Sequence, residues 1–178
     1  MSLARPTPYS WNVGDVITVT LLNAVRDALT WGQNIPLFVG YQGTAQSIPN
    51  NAWTPISLDT NYVDTYTGHS TVTNPSRYVC QAGAAGYYTV GGVVAAASNG
   101  SNFRGARIAV NGSPIIGGAV YSAPNASGEV GVATPFREVF LNVGDYVEIH
   151  AYQSTGGALN TQIDVDLRCV MTAKFCHA

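Results

Sequence analysis

The hydrophobic pattern of the chain changes character near residue 36. Before that point, apolar residues recur at the three- and four-residue spacing of an α-helix, which predicts a helix of about residues 19–31. Thr18 or Thr20 can cap its N-terminus with a hydroxyl group. Gly32 lies where the helix would stop, and Pro36 prevents its continuation. The apolar stripe of this helix consists of Leu21, Leu22, Val25, Ala28 and Leu29.

A helix of about twelve residues is only marginally stable alone in water, so its apolar stripe needs a surface to pack on. That surface is either the rest of the chain or another molecule. The residues ahead of the helix are rich in proline and aromatic side chains, which favours an intermolecular anchor. We therefore expect residues 1–35 to form an anchoring arm. Its expected docking side chains are Tyr9, Trp11, Leu21, Leu22, Val25 and Leu29.

From residue 36 to 178 the helical period disappears, and short runs of β-branched and aromatic residues alternate with clusters of Gly, Pro, Asn and Ser. Evenly spaced strands without crossover helices indicate a sandwich or jelly roll, which makes the fold class all-β. The predicted strands lie near Phe38–Gln42, Thr54–Ile56, Tyr78–Gln81, Gly86–Ala97, Phe103–Val110, Glu129–Val132, Phe136–Leu141, Tyr146–Gln153 and Gln162–Lys174.

Two turns and one alternating strand support this prediction. Asn111-Gly112 is typical of a tight hairpin turn, because both central residues of that turn need positive φ. Val143-Gly144-Asp145 predicts a second turn. In Gln162–Lys174, every second residue is apolar, so one side of that strand should face a core.

Composition restricts the function. Charged residues make up 10% of the chain, against about 25% in typical soluble domains, and the formal net charge is −2. Lys174 is the only lysine, so nucleic-acid binding, which needs a concentrated basic face, is not expected. Neither a secretion signal nor a membrane-length apolar run is visible. A neutral polar surface suits a protein that packs against copies of itself.

The sequence offers no convincing catalytic set, so we expect neither an enzyme nor a cofactor. His69, His150 and His177 lack metal-ligand spacing. Asp164 and Asp166 would face one side of the last strand, where they could pair as acid and base. They could also bind Ca²⁺ with neighbours such as Asp59 and Asp64, but a solvated polar face is the simpler interpretation.

Cys80, Cys169 and Cys176 are an odd set with no CxxC pair. This favours reduced, buried thiols in a protein made in a cytoplasm. A Cys80–Cys169 bridge between neighbouring strands is the alternative.

The N-terminal segment resembles a known group of proteins. It contains a Trp-x-x-Gly-Asp start at Trp11–Asp15, a Leu-Asn pair at Leu22-Asn23 and an Arg-Asp pair at Arg26-Asp27. This arrangement is similar to the start of many small virion proteins of tailed bacteriophages, especially those that infect actinobacteria. The group includes head and tail proteins, so the resemblance implies a virion component without fixing its position.

The β region carries a second resemblance. Gly86-Tyr87-Tyr88-Thr89-Val90, the run Arg107–Gly112 ending in Asn-Gly, and the run Leu141–Val147 with its Gly-Asp pair follow in the order of the C1q/TNF-type jelly roll. The closing Phe-x-Gly segment of that family is replaced here by Ala173-Lys174-Phe175. The resemblance implies a homotrimer packed around a three-fold axis. The implied interface residues are Tyr87, Val93, Val94, Tyr146 and Ile149.

The low-bulk run Gly91–Ala97 fits close approach between subunits, and it fits equally well a strand buried within one subunit. Two functions follow. The first is a capsid decoration protein that grips the major capsid protein through its arm. The second is a tail fibre or receptor-binding tip, whose loops Gly68–Ser76, Asn99–Asn102 and Ser122–Ser127 would contact host glycans. In both, the protein would be made in the host cytoplasm and lie on the virion surface. A secreted bacterial C1q-like lectin is a weaker third hypothesis because no signal peptide is seen.

Overall fold

The computed structural model describes residues 10–125 and 128–178, and this part of the chain contains one helix and thirteen strands. The helix, α1, is Val19–Gln33. The strands are β1 Leu37–Tyr41, β2 Ser47–Ile48, β3 Thr54–Pro55, β4 Thr60–Asp64, β5 Tyr78–Val79, β6 Gly86–Ala96, β7 Arg104–Val110, β8 Ser113–Ser122, β9 Val130–Ala133, β10 Arg137–Leu141, β11 Tyr146–Gln153, β12 Leu159–Asn160 and β13 Val170–His177.

The strands form two main antiparallel sheets that pack face to face. The six-stranded sheet has the order β10-β6-β13-β1-β4, and β9 also pairs with β6. The five-stranded sheet has the order β3-β11-β7-β8, and β5 also pairs with β11. A small third sheet pairs β12 with β2. β6 pairs with β10 and β9 along one edge and with β13 along the other, so it contacts three strands of the six-stranded sheet.

The core lies between the two main sheets. On β11 the alternate residues Val147, Ile149 and Ala151 are at most 2% exposed, and on β13 Met171 and Ala173 are fully buried. Strands of period two place every second side chain on the inner face, which is why these positions are apolar. The core needs no covalent link, because Cys80, Cys169 and Cys176, all within the described residues, are free thiols.

Helix α1 begins and ends close to the predicted positions. The Thr18 hydroxyl accepts a hydrogen bond from the Leu21 backbone N–H at 3.3 Å, so the predicted cap is confirmed. The helix continues through Gly32 to Gln33, where the Asn34 N–H donates to the Thr30 and Trp31 carbonyls, each at 3.1 Å. Pro36 follows and starts the β domain.

The helix projects from the β domain. None of its fifteen residues, all of which the structure describes, is buried. Trp31 is its half-buried link to the domain, where its ring lies edge-on to Phe175 with 5.0 Å between the centroids. The described residues include no helix that is both long enough and apolar enough to cross a bilayer.

The same tetrapeptide, Asn-Val-Gly-Asp, forms the same turn twice. In Asn12–Asp15 and Asn142–Asp145 the aspartate carboxylate accepts the asparagine N–H at 2.8 Å, and the aspartate N–H donates back to the asparagine carbonyl. Glycine at the third position has positive φ in both turns. The hairpin turn Asn111-Gly112 is also confirmed, because φ is 50° and 77° at its two residues.

The last predicted strand, Gln162–Lys174, is wrong in its first half. The Arg168 guanidinium donates to the carbonyls of Ile163 and Asp164 at 3.0 and 2.8 Å, which folds residues 163–168 into a loop. Val165 is therefore 94% exposed. Only β13 remains as a strand, and Asp164 and Asp166 do not share a strand face.

The sequence pattern also missed three short strands. β2 and β12 have two residues each, too few to establish a period of two, and β4 has the mostly polar sequence Thr-Asn-Tyr-Val-Asp. The other predicted strands are present with ends shifted by up to two residues, and β8 fills the second arm of the predicted hairpin.

Candidate self-association and anchoring surfaces

The six-stranded sheet carries apolar side chains on both of its faces, and on the second face a polar band of Thr89, Glu138, Thr172 and Lys174 separates two apolar groups. Its second face points away from the core, and we call it the outer apolar face. Cross-strand pairs such as Val93 with Val170 and Tyr87 with Phe140 place their side chains together on this face. It is formed by Val39, Tyr41, Val63, Tyr87, Val93, Phe140 and Val170.

A groove of about 480 Å³ lies on the outer apolar face where β1 ends at Tyr41 and β13 begins at Val170. Its floor is the sheet, and one wall is the loop of residues 163–168 that Arg168 holds closed. The Arg168 guanidinium also lies 5.2 Å from the centroid of the Tyr41 ring. Lining residues are Val39, Tyr41, Tyr62, Val93, Val165, Asp166, Leu167, Arg168 and Val170. The groove is thus mostly aliphatic and aromatic, with one acidic and one basic residue in its wall.

An aromatic cluster extends the same face toward the arm. The Tyr87 ring stacks on His177 with 4.8 Å between centroids and meets Phe140 edge-on at 5.2 Å. Tyr87 is 39% exposed and Phe140 is 47% exposed. Sequence reasoning selected Tyr87 and Val93 but missed Phe140 and His177. Only the pairing of β6 with β10 and β13 brings these two residues beside Tyr87.

Three of the five expected interface residues do not lie on the outer apolar face. Val94 is 2% exposed and Ile149 is fully buried in the core, so neither side chain has surface left for a second subunit. Tyr146 lies on the five-stranded sheet, under the Arg77 guanidinium at 4.0 Å from its ring centroid. The burial of Val94 and Ile149 therefore argues against these two as interface residues, whereas Tyr87, Val93 and Tyr146 stay predictions.

The run Gly91–Ala97 fits the second of its two interpretations, a strand buried within one subunit. A Cβ at Gly91 would lie 2.6 Å from the Phe136 ring, and one at Gly92 would clash with the Val170 carbonyl. Ala95 and Ala96 are buried. The small residues in this run therefore admit neighbouring groups of the same chain.

The arm presents most of its predicted docking residues to solvent. Leu22, Val25 and Leu29 lie on α1 and are 56%, 41% and 64% exposed, and Trp11 is 52% exposed. Leu21 is half-buried, and Tyr9 lies outside the described residues. The stripe at Leu22, Val25 and Leu29 follows the helical spacing that produces one apolar face. A single chain leaves this face uncovered.

A polar network covers the middle of the five-stranded sheet on its outer side. Glu148 and His150 are 3% and 4% exposed, with His150 Nε2 3.2 Å from a Glu148 carboxylate oxygen. Arg107 donates to His150 Nδ1 at 3.2 Å, so the imidazole proton lies on Nε2 and points to the carboxylate. Ser76 donates to the other oxygen of Glu148 at 2.7 Å, and Arg77 donates to that oxygen at 3.2 Å.

Burial raises the pKa of Glu148, but the hydrogen bonds from His150, Ser76 and Arg77 lower it by more, so the net pKa lies below its ordinary value. The Ser76 hydroxyl bonds to the carboxylate and not to the imidazole, which differs from the arrangement that activates a serine nucleophile. This network joins the loop of residues 74–77 to β7 and β11, and we assign it a structural role.

Metal-binding groups do not converge in this fold. Within residues 10–125 and 128–178, no three His, Cys, Asp or Glu side chains are grouped so that they could hold a metal ion. Asp59 accepts from the Gly43 N–H, and Asp64 accepts from the Gly68 and His69 N–H groups. These two carboxylates therefore fix loops of their own chain.

The three cysteine thiols differ in their exposure to solvent. Cys80 and Cys169 are buried, and burial raises the pKa of Cys169 to about 12. Such thiols are unreactive at neutral pH. Cys176 is exposed, so the expectation that all three are buried was wrong for this residue.

No protein-family model matches the chain, and no curated protein matches it in sequence. Solved structures do match. The globular domain of zebrafish complement 1qA protein superposes with a TM-score of 0.59 at 12% identity, covering 80% of this chain and 98% of that one. Murine APRIL gives 0.57 at 8% identity, covering 78% and 98%. PRD1 vertex protein P5 gives 0.52 at 15% identity, covering 79% and 96%.

The chain therefore has the C1q/TNF-like jelly-roll fold, preceded by a helical arm. At these identities the similarity defines the fold alone. One of the similar structures is a phage vertex protein, whereas no sequence match supports the more specific actinobacteriophage origin.

The Glu148 network generates a pH-dependent prediction. Because its folded pKa lies below the ordinary value of 4.5, the ionised carboxylate stabilises the fold above that pH, and the contribution is lost as the pH falls below it. Glu148→Gln should therefore lower the free energy of unfolding at pH 7 by about 1.5–3 kcal/mol. The difference from the wild type should shrink as the pH falls from about 5 to about 3.

Urea unfolding at fixed protein concentration measures this difference, and Glu129→Gln, at an exposed position, is the matched control with little expected effect. An equal difference at both ends of the pH range would contradict the assignment.

Proposed function

We propose that the protein is a non-enzymatic structural component of a phage particle, a homotrimer that docks through its N-terminal arm and projects its jelly roll outward. The observation that carries this proposal is the uncovered outer apolar face of the six-stranded sheet. Clustered apolar side chains on the surface of a domain often mark a place where it packs against another molecule. The C1q/TNF-type jelly rolls that the fold resembles associate as trimers, which makes two further copies the natural cover.

The arm supports docking on a larger partner. Helix α1 has an exposed apolar stripe, and its contact with the β domain is centred on Trp31. A helix with such a stripe gains stability by packing, since alone it is marginal in water. The likeness of residues 11–29 to the start of phage virion proteins, together with a vertex protein among the similar structures, supports a particle as the partner. Our preferred site is the major capsid protein, which makes this chain a decoration protein.

A tail position with receptor binding is the second candidate. Its specific support is the arrangement of the loops far from the arm. Asn99 and Asn125 pair as an isolated bridge, so two of the three expected receptor loops meet at the distal end. The third expected loop, Gly68–Ser76, lies elsewhere, beside Tyr146 and Gly144 at the arm end of the domain.

Placing a charge on the outer apolar face should dissociate the trimer. Phe140→Asp introduces a carboxylate at a position that is 47% exposed in one chain, so a single subunit can solvate it, but a packed interface cannot. We expect the mass in solution to fall to that of a single chain, with the far-ultraviolet circular dichroism unchanged. Val72→Asp, at a loop position that is 86% exposed, is the control and should leave the assembly intact. A Phe140→Asp protein that keeps the wild-type mass would remove this face from the interface.

Charging the stripe of α1 should abolish docking without affecting the trimer. Leu22→Asp places a carboxylate within the exposed stripe, and Asn23→Asp adds the same charge one residue later, on the polar side of the helix. We expect only the first variant to lose binding to particles that lack the protein, as measured by co-sedimentation. If Leu22→Asp trimerises and binds particles as the wild type does, the docking role of the stripe is wrong.

The position on the particle is tested by copy number. Quantitative mass spectrometry of purified particles, calibrated on the major shell protein, should give a number of chains comparable to that of the shell subunits if the protein decorates the capsid. A few trimers per particle would favour the tail candidate instead. Absence of the chain from purified particles would overturn the virion proposal.

A further inference from the structure

The distal end of the five-stranded sheet carries a cluster of aromatic rings on its outer side. Trp53 lies 5.2 Å from Tyr152 and 5.8 Å from Tyr121, centroid to centroid, and the two tyrosines are 5.8 Å apart. Phe103 lies two residues before Gly105, so it faces the same side of the sheet as Gly105. Phe103 and Tyr121 are each 56% exposed. We call these four residues, Trp53, Phe103, Tyr121 and Tyr152, the distal aromatic surface.

A glycine in the sheet makes room for these rings, whose planes are tilted by 39° to 83° relative to one another. Gly105 pairs with Tyr152 on one side and with Tyr121 on the other. A Cβ at Gly105 would come within 3.1 Å of both Trp53 and Tyr121. The glycine thus leaves room for the indole ring between the two tyrosines.

The cluster rests on a fixed polar support. The Arg107 guanidinium lies 4.4 Å from the centroid of the Trp53 ring and donates to His150, which in turn is held by Glu148. A cation over an indole face is favourable. The Glu148 network therefore orients the cluster from below through Arg107.

The loops around the cluster are joined to one another by hydrogen bonds. The Tyr152 hydroxyl donates to the Asn51 amide oxygen at 3.1 Å, the Asn102 amide donates to the Ser154 carbonyl at 2.8 Å, and the Gly156 N–H donates to the Asn50 amide oxygen at 2.9 Å. A surface held in place before binding loses less conformational entropy when a ligand arrives.

The chemistry of this surface fits a carbohydrate better than a protein. Sugar rings present C–H faces that pack on aromatic rings, and their hydroxyl groups pair with amide and hydroxyl side chains such as those of Asn50, Asn102 and Ser154. The aliphatic residues that make the centre of a protein interface lie instead on the opposite side of the molecule, on the outer apolar face. A trimer built through that face leaves all three distal aromatic surfaces exposed.

We propose that the distal aromatic surface is a carbohydrate-binding site, with Tyr121 and Trp53 stacking on the sugar and the surrounding asparagines bonding its hydroxyl groups. The site lies at the end of the β domain opposite the arm, because β11 runs from Tyr146 near the arm end to Gln153 at the distal end. For the tail candidate, the proposal names carbohydrate as the class of receptor. The evidence for the site itself comes from the fold of a single chain and does not depend on the virion proposal. A decoration protein with this site would equally present sugar-binding surfaces outward, and three sites per trimer would raise avidity.

The test uses the purified full-length protein on an array of immobilised oligosaccharides that covers neutral hexoses, pentoses, N-acetylhexosamines and acidic sugars. We expect the wild type to retain at least one of these classes. Tyr121→Phe keeps the ring and should bind within about threefold of the wild type, whereas Tyr121→Ser should bind about tenfold more weakly because one stacked ring is lost. Phe103→Ser is the second variant in case Tyr121→Ser alters the fold, because Phe103 is equally exposed and packs on no other aromatic ring within residues 10–125 and 128–178.

Unchanged solution mass and unfolding midpoint establish that a variant is folded. The proposal is overturned if the wild type retains no oligosaccharide, or if folded Tyr121→Ser and Phe103→Ser proteins bind as well as the wild type. Retention of an unglycosylated protein in place of sugars would also overturn it. Because no particle is used, these outcomes are independent of the virion proposal.

Discussion

The six-stranded sheet carries apolar side chains on both of its faces, and the rest of the molecule depends on how each face is covered. One face is satisfied within the chain, where Met171 and Ala173 pack against the five-stranded sheet. The other carries Val93, Val170 and Phe140, which remain half-buried or exposed. Since apolar surface is costly to leave in water, this second face is the one that the proposed trimer would cover. The proposed trimer follows from the apolar side chains left uncovered on the second face and not from any single residue contact.

The two sheets consequently have different tasks. In the proposed trimer the six-stranded sheet would face other copies, while the five-stranded sheet keeps a polar and aromatic outer side built around Glu148, Arg107 and Trp53. The arm leaves the domain near Phe175, at the end of the sandwich opposite the distal aromatic surface. Docking, self-association and outward contact would thus use separate surfaces, so that a substitution in one can be studied without loss of the others.

Much of the fold follows from local signals in the sequence. The cap at Thr18, the Asn111-Gly112 turn and most strands are set by the chain's own short-range chemistry, which is why they could be predicted. The strand predicted at Gln162–Lys174 was wrong in its first half. Its apolar and polar residues do alternate, but hydrogen bonds from the Arg168 side chain hold residues 163–168 in a loop. Periodicity in the sequence does not indicate such hydrogen bonds. A sequence pattern also states which residues share a face but not which face is inward. Val93 and Val94 are neighbours of similar character, yet one lies on the outer face and the other in the core.

The distal aromatic surface was beyond prediction for a related reason. Its rings come from four separate parts of the chain and meet only because β3, β11, β7 and β8 are adjacent in one sheet. Nothing in the sequence around Gly105 indicates that this glycine makes room for aromatic rings. The expected receptor loops consist mostly of Ser, Asn, Gly and Ala, whereas the aromatic residues lie on or beside the strands at the loop ends.

The most direct test of the central claim is the mass of the unaltered protein in solution, measured by sedimentation equilibrium over a wide concentration range. The account predicts a concentration-independent mass of three times the 18.7 kDa of one chain. A stable mass of 18.7 kDa at all concentrations would contradict it, because the outer apolar face would then be tolerated in water by a single subunit.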